Sequence, residues 1–500
     1  MQIKWEAEAR DSSARAGKLR VGGTEVETPA LLVVVDPDPK KQLVPLDEIK
    51  KMGIKIIMTS SFIAKRKLGR VNLKEHLGWD HILYTDSGTY QAYSRGVKVD
   101  PLESVKYQEE VGVDIVTPVD LFSLPDDSKD VALEKALKSL ERWKEAKELV
   151  NKPVTAPVQG SVYPDVRAMV TSLYVKEGAE LLAVGGIVPL MVNYEFAKLV
   201  DVLVPVLSAR PPERAVHAFG AGHPLIFPLL VFLGVDLFDS AMYVLAARDK
   251  RYLTPFGTFR LEELYSMRDF PCDCPACSSI TPRELQDLSE EEKVRFLARH
   301  NLYAAVKMVK EMREKILYGT FHKWALAFFH THPRLYEAAL RALRVWRGYF
   351  ERERNYLPKS PPPKGCYLCD LSPEKDPGVE GRAKASDFIN SYLKRGYGVK
   401  VKEARARGTL FETELGSVEL RRPLLRPSES FLSSTGKVVK VKELKSVIKK
   451  KDILSVPKFL RPNQIVLASD GQKKAIAKSL VSWAEYALAG EEAVILLLEQ

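Results

Sequence analysis

Leu181-Leu-Ala-Val-Gly-Gly186, then Ala215-Val-His-Ala-Phe-Gly220, then Val235-Asp-Leu-Phe-Asp239: three short apolar runs, each ending in glycine or aspartate. Runs of this length and composition read as strands buried on both faces. Working outward, the same unit recurs at residues 31–35, 54–59, 82–86, 114–120 and 154–159, which brings the count to eight. The intervals carry helical patterns. In residues 132–150, Leu133, Ala136, Leu137 and Leu140 share one face. Eight strands alternating with helices over about 250 residues is the size of a (β/α)8 barrel, so the expected fold class is α/β with a TIM-type barrel. A doubly wound open sheet alternates similarly, but eight turns favour closure.

Before the first barrel strand, residues 3–27 read as polar-alternating strands broken at Ala16-Gly17 and Gly22-Gly23, a hairpin capping the barrel bottom. Helical patterns run from Leu302 to about Glu351. Residues 357–364 (LPKSPPPK) are a proline-rich linker that can hold neither helix nor sheet. The expected organisation is a catalytic barrel over 1–350, a linker over 351–364, a small mixed α+β domain over 365–434 and a β-rich domain over 435–500. Short strands are expected at 464–468 and 493–498. Seven lysines, Lys437, Lys440, Lys442, Lys445, Lys449, Lys450 and Lys451, crowd the start of the last domain. They read as a polyanion-binding face or as a solvated one.

Composition narrows the class. Of 500 residues, 45% are hydrophobic and 28% charged, which excludes disordered, collagenous and coiled-coil proteins. No apolar run reaches the ~18 residues of a spanning helix, and the N-terminus has no apolar signal-peptide core. Five cysteines cannot frame a chain this long, so a reducing cytoplasm is expected, with no membrane partner. Lys plus Arg (76) exceeds Asp plus Glu (65), giving +11, a moderate basic excess suited to a polyanionic partner.

In a barrel the reactive groups gather where strands end. Those ends are Asp86, Asp120, Gln159, Gly185-Gly186, Gly220 and Asp239. Aspartates commonly end strands and cap the next helix, but several polar ends on one rim point to a ligand. A second group is Cys272-Asp-Cys274-Pro-Ala-Cys277 with His300 23 residues on. Thiolates one and two residues apart wrap one metal, and a helical histidine closes a tetrahedron; such a Cys3His set is a structural zinc site, not a catalytic one. Cys366 and Cys369 form a further CxxC, equally readable as a thiol pair, a second metal site or a turn.

Tyr84-Thr-Asp-Ser-Gly-Thr-Tyr-Gln91, Gly234-Val-Asp-Leu-Phe-Asp-Ser-Ala241 and CxCxxC with its distant histidine together resemble the tRNA-guanine transglycosylases over residues 1 to about 340. Residues 272–279, Thr281-Pro-Arg-Glu-Leu285 and His300-Asn-Leu-Tyr303 look particularly like the archaeal branch, and the last domain resembles a PUA RNA-binding module. That resemblance implies an archaeosine-type enzyme, exchanging guanine at tRNA position fifteen for 7-cyano-7-deazaguanine through a covalent ribosyl–aspartate intermediate. Asp239 matches the nucleophile and Asp86 the general acid/base; Asp236, earlier on the same strand, faces the other way by alternation and is the reserve nucleophile. Asp120 matches the carboxylate that reads the base edge, with Gln159, Ser87 and the Gly185-Gly186 backbone beside it and Tyr90 as the stacking aromatic. The resemblance further implies one structural Zn2+ per subunit, tRNA as partner and a homodimer. Thr89 stands where the family usually has a smaller residue, and the region after 350 is shorter than in the fullest archaeal versions. The alternatives are a non-catalytic RNA-binding paralogue or an archaeosine synthase paralogue. A bacterial-type enzyme acting at the anticodon and a zinc hydrolase are disfavoured by the C-terminal domains and the closed Cys3His set.

Overall fold

The computed structural model describes residues 2–89 and 96–353 and, beyond them, only short strands between Val401 and Leu498. Tyr90, Cys366 and Cys369 lie outside the described residues, as do most of the lysine-rich segment and the expected linker from residue 354 on; residues 351–353 end the helix Arg347–Glu353. Contacts divide the chain into two units, Met1–Tyr349 and Phe350–Gln500.

Three antiparallel strands, β1 (Ile3–Asp11), β2 (Ala14–Val21) and β3 (Thr24–Thr28), open the chain. The expected break at Gly17 does not occur. Gly17 lies inside β2, where a Cβ would collide with the Glu6 carbonyl at the bulge of β1, so the glycine permits close strand approach. The chain reverses instead at Ser12-Ser13, with Ser12 at φ 58°.

The barrel follows as β4 (Ala30–Val34), β5 (Ile56–Ser60), β6 (Ile82–Asp86), β7 (Ala156–Val158), β8 (Leu181–Val184), β9 (Ala215–Ala218) and β10 (Leu237–Ser240). They form one parallel seven-stranded sheet in the order β6-β5-β4-β10-β9-β8-β7. The eighth apolar run, 114–120, forms no strand. Two isolated parallel bridges, Tyr84 with Ile115 and Val116 with Val154, stitch it between β6 and β7 and complete the ring. Pro118 has no N–H to give a ladder, and the Thr117 N–H is taken by the Gln108 side chain.

The hairpin sheet closes the bottom. Ile3, Trp5, Leu19, Val21 and Val26 pack with the first inward residues of the staves, Ala30, Ile56, Ile82, Ile115, Leu181, Ala215 and Leu237. Arg15 of β2 locks this cap. Its guanidinium is fully buried on Asp236 and also donates to the carbonyls of Pro212 and Arg214, at 2.6 and 3.0 Å, with its face on Trp5. Asp236 thus faces away from the rim, as alternation requires.

Helix Lys129–Leu149 starts at Ser128, whose hydroxyl accepts the Val131 N–H. It buries Ala132, Ala136, Ser139, Leu140, Trp143 and Ala146. Leu137, expected on that face, is exposed, because Trp143 turns the stripe around the helix. After β10, a two-stranded ribbon, β11 (Arg251–Thr254) and β12 (Gly257–Arg260), precedes the cysteine-rich loop. The long helix Glu290–Leu317 then begins at a capping box between Ser289 and Glu292. Beyond Phe350, strands Val401–Ala404, Thr409–Thr413, Gly416–Leu420 and Leu497–Leu498 share one sheet. No helix among the described residues is long and apolar enough to cross a membrane.

Candidate active site

The polar strand ends share the rim opposite the hairpin cap. Asp86 is the last residue of β6, in register with Ser60 of β5. Its carboxylate accepts the Gly88 N–H, closing a tight turn. Gly88 is at φ +74°, and a Cβ there would collide with Phe62, so only glycine fits both backbone and space. Ser87 and Thr89 share a hydroxyl hydrogen bond of 2.7 Å across the turn, and the Thr89 hydroxyl reaches on to Asp120.

Asp120 and Gln159 form a buried pair. Gln159 Nε2 donates to Asp120 Oδ2 at 2.5 Å, and Gln159 Oε1 accepts the Ser123 N–H at 3.2 Å, which fixes the amide's orientation. Burial pushes the Asp120 carboxyl above the usual carboxylate range, while the hydrogen bonds from Gln159 and Thr89 pull the other way. Gly185 and Gly186 form the floor. A Cβ on Gly185 would land on Gln159 Nε2, and one on Gly186 would sit 2.8 Å from the Ser123 carbonyl, where φ is also +73°. Arg167 lies beneath, fully buried. It donates to the carbonyls of Val158 (2.7 Å), Ser161 (3.0 Å) and Gly185 (3.0 Å).

Asp239, on β10, completes the rim. Its Oδ1 accepts the Gly220 N–H at 2.8 Å and faces His217 Nε2 at 3.0 Å. The other nitrogen of His217 lies 3.5 Å from the Tyr84 hydroxyl, which bonds Thr155 Oγ1 at 2.6 Å. Burial drives the Tyr84 phenol well above its ordinary range. The fields of Asp239 and Asp86 both add to that rise, while hydrogen bonds from Thr155 and Thr117 oppose it.

The cysteine-rich loop gathers a second centre. Ligand atoms of Cys272, Cys274, Cys277 and His300 all lie within 4.8 Å of one another. His300 Nδ1 is 3.6 Å from Cys274 Sγ and 3.3 Å from Cys277 Sγ. Its Nε2 donates to the Leu253 carbonyl at 2.9 Å, which fixes the tautomer and leaves Nδ1 to bind. Tyr252 stacks on the imidazole at 3.4 Å and sets its hydroxyl 3.3 Å from Cys277 Sγ. Three thiol sulfurs and one imidazole at these distances make a closed donor set that could hold a metal ion.

The chain matches the family described as queuine tRNA-ribosyltransferase over residues 11–334. It belongs to that family. Among its curated relatives are proteins named tRNA-guanine(15) transglycosylase. That of Pyrococcus abyssi is 41% identical over 348 residues, covering 68% of this chain and 59% of the relative. That of Thermococcus kodakarensis is 41% identical over 359 residues (70% and 61%), and that of Methanocaldococcus jannaschii 37% over 361 (70% and 55%). The chain spans about three fifths of the length of the relatives it matches.

All of Asp86, Ser87, Asp120, Gln159, Gly185, Gly186, Asp239 and the Cys3His set fall inside the stretch matched to the tRNA-ribosyltransferase family. Asp120, Gln159 and the glycines are in direct contact, Ser87 joins them through Thr89, and Asp86 opens the same turn as Ser87. Asp239 sits apart on β10, and its own series of contacts runs through His217 and Tyr84 to Thr155. Sequence reasoning missed His217, Tyr84, Thr155 and Arg167. Each is a polar group inside a run otherwise buried on both faces, or on a helix packed against one, and that mismatch was the available signal.

Proposed function

We propose that this family member is a tRNA-guanine transglycosylase of the archaeosine type. It replaces guanine at position fifteen of tRNA with 7-cyano-7-deazaguanine, a step in making archaeosine. The observation that carries this reading is the buried Asp120–Gln159 pair on a glycine floor, with Asp86 and Asp239 on the same rim. The names of the relatives support it.

Guanine and its 7-deaza analogue share an N1–H and an exocyclic amine, which one carboxylate accepts together; Asp120 is buried and oriented for that role. Gln159, held by Ser123 and Asp120, keeps its second amide N–H for the base, and Tyr90 stacks on the ring. Asp239 attacks the ribose C1′ as the C1′–N9 bond breaks. The bonding pair stays on N9 and takes a proton from Asp86. The incoming base returns that proton to Asp86, its N9 attacks C1′, and Asp239 leaves as a carboxylate. Two inversions retain configuration without cutting the strand. The target nucleotide leaves the stack to reach the rim, at a cost of a few kcal/mol. The basic excess of +11 and a PUA-like domain over 435–500 offset that cost through phosphate contacts.

Cys272, Cys274, Cys277 and His300 would hold one Zn2+ per subunit, and three thiolates with one imidazole are the donors of a structural ion, not a catalytic one. The enzyme works in the cytoplasm, as a homodimer. The test is release of labelled guanine from the D-arm of an unmodified tRNA transcript, with and without 7-cyano-7-deazaguanine, using Asp239→Asn as blank. Release that requires the active chain supports the reading. Retained tRNA binding without release from any tRNA overturns it in favour of a non-catalytic RNA-binding protein.

A further inference from the structure

We infer that His217 is a positioning residue that, with the Gly220 N–H, pins one oxygen of Asp239 and thereby selects Oδ2 as the oxygen that bonds to ribose. The inference rests on the transglycosylase reading and concerns how its nucleophile is aimed. Oδ1 carries two donors, the Gly220 N–H at 2.8 Å and His217 Nε2 at 3.0 Å. No described residue donates to Oδ2. A carboxylate with one oxygen tied at two points cannot rotate about its Cβ–Cγ bond without breaking both, so its free oxygen has one direction.

The imidazole is itself held. It is fully buried on β9, with Phe219 edge-on at 4.6 Å and Tyr84 tilted against it at 5.5 Å. With Nε2–H donating to the carboxylate, Nδ1 is the acceptor that faces the Tyr84 hydroxyl, and Tyr84 in turn accepts from Thr155. Every O–H and N–H in this series then points towards Asp239. The 3.5 Å step between Tyr84 and His217 is the loose link, so Tyr84 orients the ring more than it shares a proton.

The arrangement acts on both halves of the exchange. In the first, Oδ2 forms its bond to C1′ as the C1′–N9 bond breaks and the pair leaves with the base. Oδ1 becomes the ester carbonyl and keeps its two donors. In the second, the incoming N9 bonds to C1′, the C1′–Oδ2 bond breaks and its electron pair returns to the carboxylate. Donors already aimed at Oδ1 stabilise that returning charge without reorganisation. His217 transfers no proton.

The experiment compares the full-length native chain with His217→Phe and His217→Gln in the guanine-release assay, with single-turnover trapping of the covalent tRNA–protein adduct. Phenylalanine fills the cavity without a donor, and glutamine returns an amide N–H near the Nε2 position. Loss of one hydrogen bond to a charged group predicts a kcat about 10- to 100-fold lower in H217F, with KM for tRNA unchanged and slower adduct formation. H217Q recovers most of the loss. Native kcat in H217F, equal impairment of H217Q and H217F, or joint loss of tRNA binding and thermal stability in both overturns the role. If H217F does not fold, His217→Asn decides: its shorter amide falls short of Oδ1, so a native kcat overturns the inference and a 10- to 100-fold loss supports it. Absence of release by the native chain instead overturns the transglycosylase reading itself.

Discussion

Replacing Gly185 by alanine isolates the Asp120–Gln159 pair, to which we assign base reading, from everything else in the barrel. Gly185 is not one of the positive-φ glycines, so alanine can adopt its backbone conformation, and stiffening the unfolded chain stabilises by about 0.4–1 kcal/mol. The penalty is local. The new methyl lands on Gln159 Nε2 and lies 3.5 Å from Asp120 Oδ2, so the amide must leave its place on Asp120. That breaks a 2.5 Å hydrogen bond to a carboxylate, worth about 1.5–3 kcal/mol, and loosens the acceptor that reads the base. The expected result is a KM for the incoming base about 10- to 100-fold higher, a KM for tRNA within twofold of native, and a melting temperature lower by a few degrees, since the lost bond outweighs the gain from the stiffer unfolded chain. Exchange kinetics with base and tRNA varied separately measure all three with a melting curve. In a Gln159→Ala background the same substitution has nothing to displace and adds little. A base KM that stays native in G185A, or an equal loss in both backgrounds, would refute the reasoning.

The remaining predictions concern the cap, the metal and pH. Asp236→Asn leaves the Arg15 guanidinium buried without its counter-charge and lowers unfolding stability by about 3–5 kcal/mol in denaturant titration, while exchange at low temperature persists. Cys277→Ser, or prolonged chelation, removes the proposed zinc, read as one metal ion per chain lost by elemental analysis, and loosens the β11–β12 ribbon through Tyr252 and His300, read as faster amide exchange there. Asp120, held above the usual carboxylate range by burial, takes its proton at a higher pH than a free aspartate would. Its protonated form cannot accept both base donors, so the KM for the base rises on acidification before ordinary aspartates titrate. The raised value also means that ionised Asp120 disfavours folding above the unfolded pKa, a penalty relieved as pH falls. In Asp120→Asn the base KM is uniformly high and loses this pH dependence.

The staves were legible because a doubly buried strand leaves few choices beyond Val, Ile, Leu and Ala, and the polar residue that ends each one marks the rim. Residues 114–120 have that composition too, and yet form two bridges; composition does not reveal that Pro118 and the Gln108 side chain interrupt the ladder. The Cys3His set was legible from spacing alone. Its support by Tyr252 and Leu253 was not, because that depends on a ribbon folding back against a helix almost fifty residues later. Arg15 lies in a stretch read only as polar-alternating strands. Only its partner Asp236, just before β10 and 221 residues away, shows why it is buried. Tyr84 and His217 were hidden for the opposite reason, as they sit in runs read purely as core.

Arg167 links the two loops that bound the proposed base position, since one guanidinium carries the carbonyls of Val158 and Ser161 on one side and Gly185 on the other. Burial lowers it only to about 9, so it remains a cation throughout the neutral range. A loop after β7 that shifted alone would strip an unneutralised cation of its ligands, and so would one after β8. The two walls therefore travel as a single rigid bed. Selection for a different base would have to work through inward side chains such as Thr89, leaving the loop framework inherited intact.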